Sequence, residues 1–151
     1  MQLGYAPGVW DMLHVGHVRF LERACELVDK LVVGVPSDDV VLQDKGNPPV
    51  VCLEHRIEVL DGLWSVDVAI PYHELEFIPH LEMLQPDVLF VGEDWGSESR
   101  HLQAELWVAK HDCRIIKLPY TQGVSSTDIK VSAAESTTEP KKLRTMHDAR
   151  N

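Results

Sequence analysis

His14 and His17 lie three residues apart, with Gly16 directly before the second, in the stretch GVWDMLHVGH from Gly8 to His17. The stretch follows the short apolar segment LGYA, where a first strand hands over to a first helix. Two imidazoles in that place can serve a metal, a core or a phosphate chain. Zinc needs three or four ligands, and no further tightly spaced Cys/His pair completes such a set. The G-x-G-x-x-G of a dinucleotide turn and the G-K-S/T of a P-loop are both missing. A helix start carries unpaired N–H groups and about half a positive charge. Gly16 would let a phosphate come close to that backbone, with His14 and His17 on the same side of the turn. Spacing alone leaves open that the pair only caps the helix or lies on the surface.

Few cations are available to such a phosphate. Lys45 is the only Lys or Arg between Lys30 and Arg56, and after Arg56 none occurs until Arg100. Lys45 reads as part of a Gly/Pro-bearing loop behind a strand, where it is either a solvated charge or a phosphate contact. Arg56 is either a ligand contact or a salt bridge on a helix face. Ser125, Ser126 and Thr127 precede the helical DIK, so their hydroxyls either cap that helix or meet phosphate oxygens at its positive end.

The elements that must position these residues alternate. Strands are expected at Gln2–Ala6, Leu31–Val35, VDVAI (66–70), DVLFVG (87–92) and RIIKL (114–118). Between them, helices are expected at His17–Val28, Leu53–Trp64 (Ile57, Leu60 and Trp64 along one stripe), Phe77–Leu84 and Leu102–Lys110, with a last helix from Ser126. This alternation predicts a five-stranded parallel sheet covered on both faces, a Rossmann-like three-layer α/β/α fold. Ligands of such folds bind beyond the carboxyl ends of the strands, where strand order reverses. The domain is expected over 1–131, and 132–151 reads as a polar, flexible tail.

Composition narrows the partners. The 151 residues carry a formal net charge of −10, which argues against a nucleic acid, whose binding rests on many Lys and Arg contacts. A small phosphorylated ligand needs only a local positive pocket. No apolar run approaches the ~20 residues of a membrane span. The first residues lack the pattern of a signal peptide, and three scattered cysteines suit a reducing compartment. A cytoplasmic protein is expected.

Four ordered segments across about Gln2 to Lys130 carry a resemblance. GVWDMLHVGH resembles the G-T-F-D-x-x-H-x-G-H signature of the nucleotidyltransferase superfamily that contains the cytidylyltransferases. LEHRIEVLDGLWSVD is similar to that family's E-H-R helix, VGEDW to its M-G-D-D-W segment, and LPYTQGVSSTDIK to its L-P-R-T-x-G-x-S-T-T-x-I-K close. The match is nearest to the glycerol 3-phosphate cytidylyltransferases. The resemblance implies transfer of CMP from CTP to a small phosphorylated alcohol with release of pyrophosphate. Glycerol 3-phosphate comes first as acceptor, then ethanolamine or choline phosphate.

By the same resemblance His14, His17 and Lys45 are catalytic, acting on the triphosphate. Nucleotide contacts fall on Gly8, Val9, Trp10, Asp11, Gly16, Arg56, Gly92, Asp94, Trp95, Tyr120, Thr121, Gly123, Ser125, Ser126 and Thr127. Asp94 and Trp95 would line the base pocket, and Asp11 would fix a loop or orient a histidine. Mg²⁺ is expected, held by substrate phosphates and water with no protein metal cage, and so is a homodimer. The chain departs from the pattern at Val9 (family threonine), Trp10 (phenylalanine), Tyr120 (arginine) and Trp64 (arginine in many members). KGNPPVVCLEHR also resembles a loop of heptose-phosphate adenylyltransferases, which keeps ATP as donor to a sugar phosphate or FMN as the alternative. A nucleotide-binding protein without turnover is the other alternative.

Overall fold

The computed structural model describes residues 1–136. Five strands, β1 (Leu3–Pro7), β2 (Lys30–Pro36), β3 (Val68–Tyr72), β4 (Val88–Val91) and β5 (Arg114–Lys117), form one parallel sheet in the order β3-β2-β1-β4-β5. Six helices join and cover them: α1 (Val15–Glu26), α2 (Asp38–Lys45), α3 (Leu53–Asp61), α4 (Ile78–Leu84), α5 (Ser99–Lys110) and α6 (Ser126–Ser136). The expected Rossmann-like α/β fold is observed.

Alternation along the central strands splits the core in two. Ala6, Leu31, Val33, Val35, Val88 and Phe90 face Phe20, Leu21 and Ala24 of α1 and Leu60 of α3. Tyr5, Val32, Leu89 and Val91 face Leu81 of α4 and Ala104 and Trp107 of α5. Consecutive residues of a strand point to opposite faces, so strands buried on both sides read as unbroken apolar runs. Each fully buried aliphatic or aromatic side chain contributes about 1.5–3 kcal/mol.

Strand order reverses at β1, which has β2 on one side and β4 on the other. The turns leaving β1 and β4, Gly8–His14 and Gly92–Glu98, therefore diverge from neighbouring strand ends and open a crevice.

Four expectations change. Helix α2 stands where a loop was expected. Ser37 caps it through its hydroxyl, which accepts the Val40 N–H at 3.3 Å, and Gly46 ends it at φ 80°. Strand β3 runs through Pro71, which an edge strand tolerates because its unpaired side needs no donor. Helix α3 stops at Asp61, so Trp64 leaves the apolar stripe and is 73% exposed. The final helix reaches Ser136, five residues into the expected tail. Residues 137–151 lie outside the described residues. Among the described residues, no helix is long and apolar enough to cross a membrane.

Candidate active site

The β1–α1 turn is tightly specified. Trp10 and Met12 both take positive φ, 56° and 49°, a costly geometry for large side chains. Trp10 is held there by its indole N–H, which donates to the Gly34 carbonyl at 3.1 Å, and by edge contacts with His17 and Phe20. The histidines then build the start of α1. His14 is the N-cap, its Nδ1 accepting the Gly16 N–H at 3.0 Å. His17 Nδ1 accepts the His14 N–H at 3.3 Å, and the two rings stack at 3.9 Å.

A neutral imidazole has one donor and one acceptor nitrogen. With both Nδ1 atoms accepting from the backbone, the protons sit on Nε2, so both rings offer N–H donors. Burial, then the neighbouring His14, pushes the His17 pKa down to about 4; burial lowers that of His14 as well. At neutral pH the pair is therefore uncharged. Gly16 acquires a different reason from the one the sequence suggested: a Cβ there would fall 2.8 Å from Cε1 of His14. The glycine is what lets the His14 ring fold back onto the helix start.

Asp11 ties three segments together. Its carboxylate accepts the N–H groups of Val50 (2.8 Å) and Val51 (2.9 Å) and pairs with Lys130 of α6 at 3.1 Å. Its carbonyl accepts the Ser126 hydroxyl at 2.6 Å. Burial would raise the Asp11 pKa, but the two amides and the Lys130 ammonium outweigh it and hold the carboxyl below its ordinary value. Ser125 caps α6 through its hydroxyl oxygen, which accepts the Asp128 N–H at 3.0 Å.

These parts line a cavity of about 600 Å³. Gly8, Val9, Trp10, Asp11, His14, Gly16, His17, Lys45, Gly92, Tyr120, Thr121, Ser125, Ser126 and Thr127 all border it, together with Lys130. The Thr121 hydroxyl is buried without a hydrogen-bond partner among the described residues. A second cavity, about 300 Å³, adjoins the first, sharing Gly8, Val9, Lys45, Gly92 and Tyr120 with it. At this seam the Tyr120 ring lies over Gly92 and donates its hydroxyl to the Asp94 carboxylate; burial, then that carboxylate, pushes the phenol pKa up.

Four expectations need correction. Lys45 ends helix α2 rather than riding in a loop, yet it borders both cavities. Arg56 reaches neither cavity. Its side chain is 1% exposed, donating to the carbonyls of Val51, Val9 and Pro36 and to Asp38 Oδ1 at 2.7–2.9 Å, so it locks the site's loops from behind. Gly123, in the turn before α6 with φ 77°, lines neither cavity. Asp94 and Trp95 line the smaller cavity and do not border the one that holds the histidines.

The sequence reading missed Lys130 in the larger cavity and Asp44, Tyr72, Glu98, Arg100 and His101 in the smaller. Tyr72 carried a usable signal, because it stands at the carboxyl end of a strand. Lys130 closes the SSTDIK segment already matched to the family pattern, and the others come from helix ends with no local motif. Among the described residues, no group of three His, Cys, Asp or Glu side chains could hold a metal ion. Asp11 is the one carboxylate among the described residues that borders the larger cavity, and its oxygens are occupied. A divalent cation there would rest on phosphate oxygens and water.

The family model described as cytidylyltransferase-like matches residues 5–132. The FAD synthase of Pyrococcus abyssi is 39% identical over 114 residues, 75% of this chain and 77% of that protein. The bifunctional protein HldE of Haemophilus influenzae (strain PittEE) is 37% identical over 123 residues, 81% of this chain but 25% of that longer protein. Among solved structures, the lipopolysaccharide core biosynthesis protein of Thermoplasma volcanium aligns with TM-score 0.70 at 28% identity, covering 81% of this chain and 99% of that one. A pantothenate synthetase of Thermus thermophilus aligns with TM-score 0.64 at 15% identity, covering 91% of this chain and 64% of that one, a likeness of fold.

Proposed function

The chain belongs to the cytidylyltransferase-like family and is a nucleotidyltransferase, and from that premise we propose which ligand each cavity takes. The nucleoside triphosphate occupies the larger cavity and a phosphorylated acceptor the smaller, so that the reacting phosphorus sits at the seam they share. One observation carries this reading: the capped start of α1, two uncharged imidazole donors and the start of α6 all border the same 600 Å³ space. Helix starts and uncommitted N–H groups are an anion site.

In the reaction, an oxygen of the acceptor phosphate attacks the α-phosphorus in line. The new P–O bond forms as the bond to the bridging α–β oxygen breaks, and pyrophosphate leaves with that electron pair. The Nε2–H groups of His14 and His17 donate to phosphoryl oxygens as their charge grows. Such prearranged donors lower the barrier because they need no reorganisation during the reaction. Lys45, at the seam, neutralises charge on both reactants, and the buried Thr121 hydroxyl finds its partner in a phosphate oxygen. Mg²⁺ carried by the triphosphate supplies further neutralisation.

The similarity to FAD synthases supports ATP as donor. CTP is the second reading, supported by the family's description and the Gly92–Trp95 resemblance, although Asp94 and Trp95 border the acceptor cavity in this assignment. A homodimer in the cytoplasm remains part of the proposal. The test is pyrophosphate release with Mg²⁺, offering ATP and CTP separately with glycerol 3-phosphate, choline phosphate, sugar phosphates and FMN. Release with one pair supports the reading and fixes donor and acceptor; no release with any pair removes it.

A further inference from the structure

The far wall of the smaller cavity is built from charge, and none of it belongs to the motifs. Arg100, in the first turn of α5, pairs through Nη2 with Asp44 of α2 at 3.0 Å and with Glu98 at 2.8 Å. The Arg100 and Asp44 side chains are 20% and 19% exposed. Each carboxylate gives the guanidinium one oxygen. Among the described residues, Asp44 Oδ1, Glu98 Oε1, the remaining N–H groups of Arg100 and the Tyr72 hydroxyl make no hydrogen bond to protein. The wall thus alternates free acceptors with free donors over a few ångströms.

That alternation selects among the ligand chemistries. A hydroxyl both donates and accepts, so a run of hydroxyls satisfies carboxylates and guanidinium together. A substituted ammonium would answer the carboxylates but would face the Arg100 charge and leave its donors unmet. A planar ring would want an open aromatic face. The largest ring present, Trp95, is already stacked on His101 at 4.0 Å and packed against Phe77 at 5.8 Å. Lys45 borders both cavities and so stands at the seam, where a phosphate belongs.

We infer that Asp44, Glu98 and Arg100 determine acceptor specificity by reading the hydroxyl groups of a phosphorylated polyol or sugar. The inference rests on the two-cavity reading above and adds what the acceptor is. Arg100 also ties α2 to α5, so it holds the cavity's width while its carboxylate partners face the ligand.

The experiment measures pyrophosphate release by the full chain with ATP and CTP. Acceptors are glycerol 3-phosphate, propanediol phosphate, glucose 1-phosphate and its 2-deoxy analogue, choline phosphate, ethanolamine phosphate and FMN. Wild type is compared with Glu98→Gln, Asp44→Asn and Arg100→Lys, with melting temperature and affinity for a non-hydrolysable triphosphate followed in parallel. The expected result is turnover with a hydroxylated acceptor. Acceptor KM then rises about tenfold in Glu98→Gln or Asp44→Asn, the loss of one charge-assisted hydrogen bond, while nucleotide affinity stays within about twofold. Removing the hydroxyl that the altered carboxylate reads costs the wild type about tenfold in KM and costs that variant nothing further, a signature that a purely structural role does not produce. Turnover confined to choline phosphate or ethanolamine phosphate would overturn the inference and leave the two-cavity reading standing; FMN, whose ribityl chain carries hydroxyls beside its phosphate, counts with the hydroxylated acceptors. Unchanged acceptor KM in both carboxylate variants would do the same. Absence of pyrophosphate with every pair would remove both.

Discussion

The two adjoining cavities solve opposite electrostatic problems with the same backbone. Among the described residues, Asp11 is the one carboxylate bordering the larger cavity, and it is cancelled by two amides and Lys130. The smaller is bordered, among the described residues, by three carboxylates, Asp44, Asp94 and Glu98, against two cations, Lys45 and Arg100. A triphosphate tolerates no free anion beside it, whereas hydroxyl groups want acceptors. The difference lies also in construction. The histidine end of the larger cavity hangs on one continuous turn, Gly8–His17, stiffened by its own caps. The charged wall of the smaller is assembled from α2, β3 and the start of α5, 28 or more residues apart in sequence between Asp44 and Tyr72 and again between Tyr72 and Arg100. The histidine end of one cavity is a local object, the charged wall of the other a tertiary one.

The sharpest break of this contrast is His17→Ala, expected to lower kcat by about 10²–10³-fold, the loss of one transition-state donor. His17→Asn keeps a short acceptor for the His14 N–H but lacks the Nε2–H, so its kcat should stay low while its melting temperature recovers. Near-normal turnover in either variant would take the chemistry away from the turn.

Next comes Arg56→Met, which strands Asp38 and three carbonyls behind both cavities. Stability in urea should fall by about 3 kcal/mol. A stable variant with weak nucleotide binding would instead return Arg56 to the ligand.

Lys45→Ala follows, with an expected loss in kcat/KM of about 30-fold, because one cation at the seam serves both reactants. An effect confined to nucleotide affinity would show that the cavities do not share this residue functionally.

The smallest effect is a pH dependence. His17 has a folded pKa of about 4 against an ordinary value of 6.5. Between those limits the unfolded chain binds a proton that the folded chain refuses, so stability falls as pH drops from about 6.5 to 4 and this contribution levels off below. Equilibrium unfolding at pH 7 and pH 5 should differ by on the order of 1–2 kcal/mol more in wild type than in His17→Asn. Equal slopes would mean that the ring is not held neutral by burial.

Legibility in the chain followed distance along it. The apolar runs and helical stripes placed all five strands, and the histidine pair with its glycine marked the turn. Helix α2 was missed although Ser37, Asp38 and Gly46 supply a start and a stop, because its apolar stripe is only Val40 and Val41. Trp64 read as core because helical spacing continued through it, and only the stop at Asp61 turned it outward. Arg56 illustrates the other limit. Its motif position was visible, but whether its guanidinium faced ligand or carbonyls depended on Val9 and Pro36 arriving behind it.

By itself the sequence determined the alternation of strands and helices, the Rossmann-like sheet, and a turn in which His14 and His17 stand together at a helix start. These follow from periodicity and from residues within one turn of each other, interactions that need no other part of the chain. Only the tertiary structure decided that Asp11 is a clamp, that Arg56 is a buried brace, and that Asp44, Tyr72, Glu98 and Arg100 share one wall. Those outcomes depend on strand order β3-β2-β1-β4-β5, which brings the ends of β3 and β2 within reach of the turn after β4. No local spacing encodes that order; the packing of both sheet faces does.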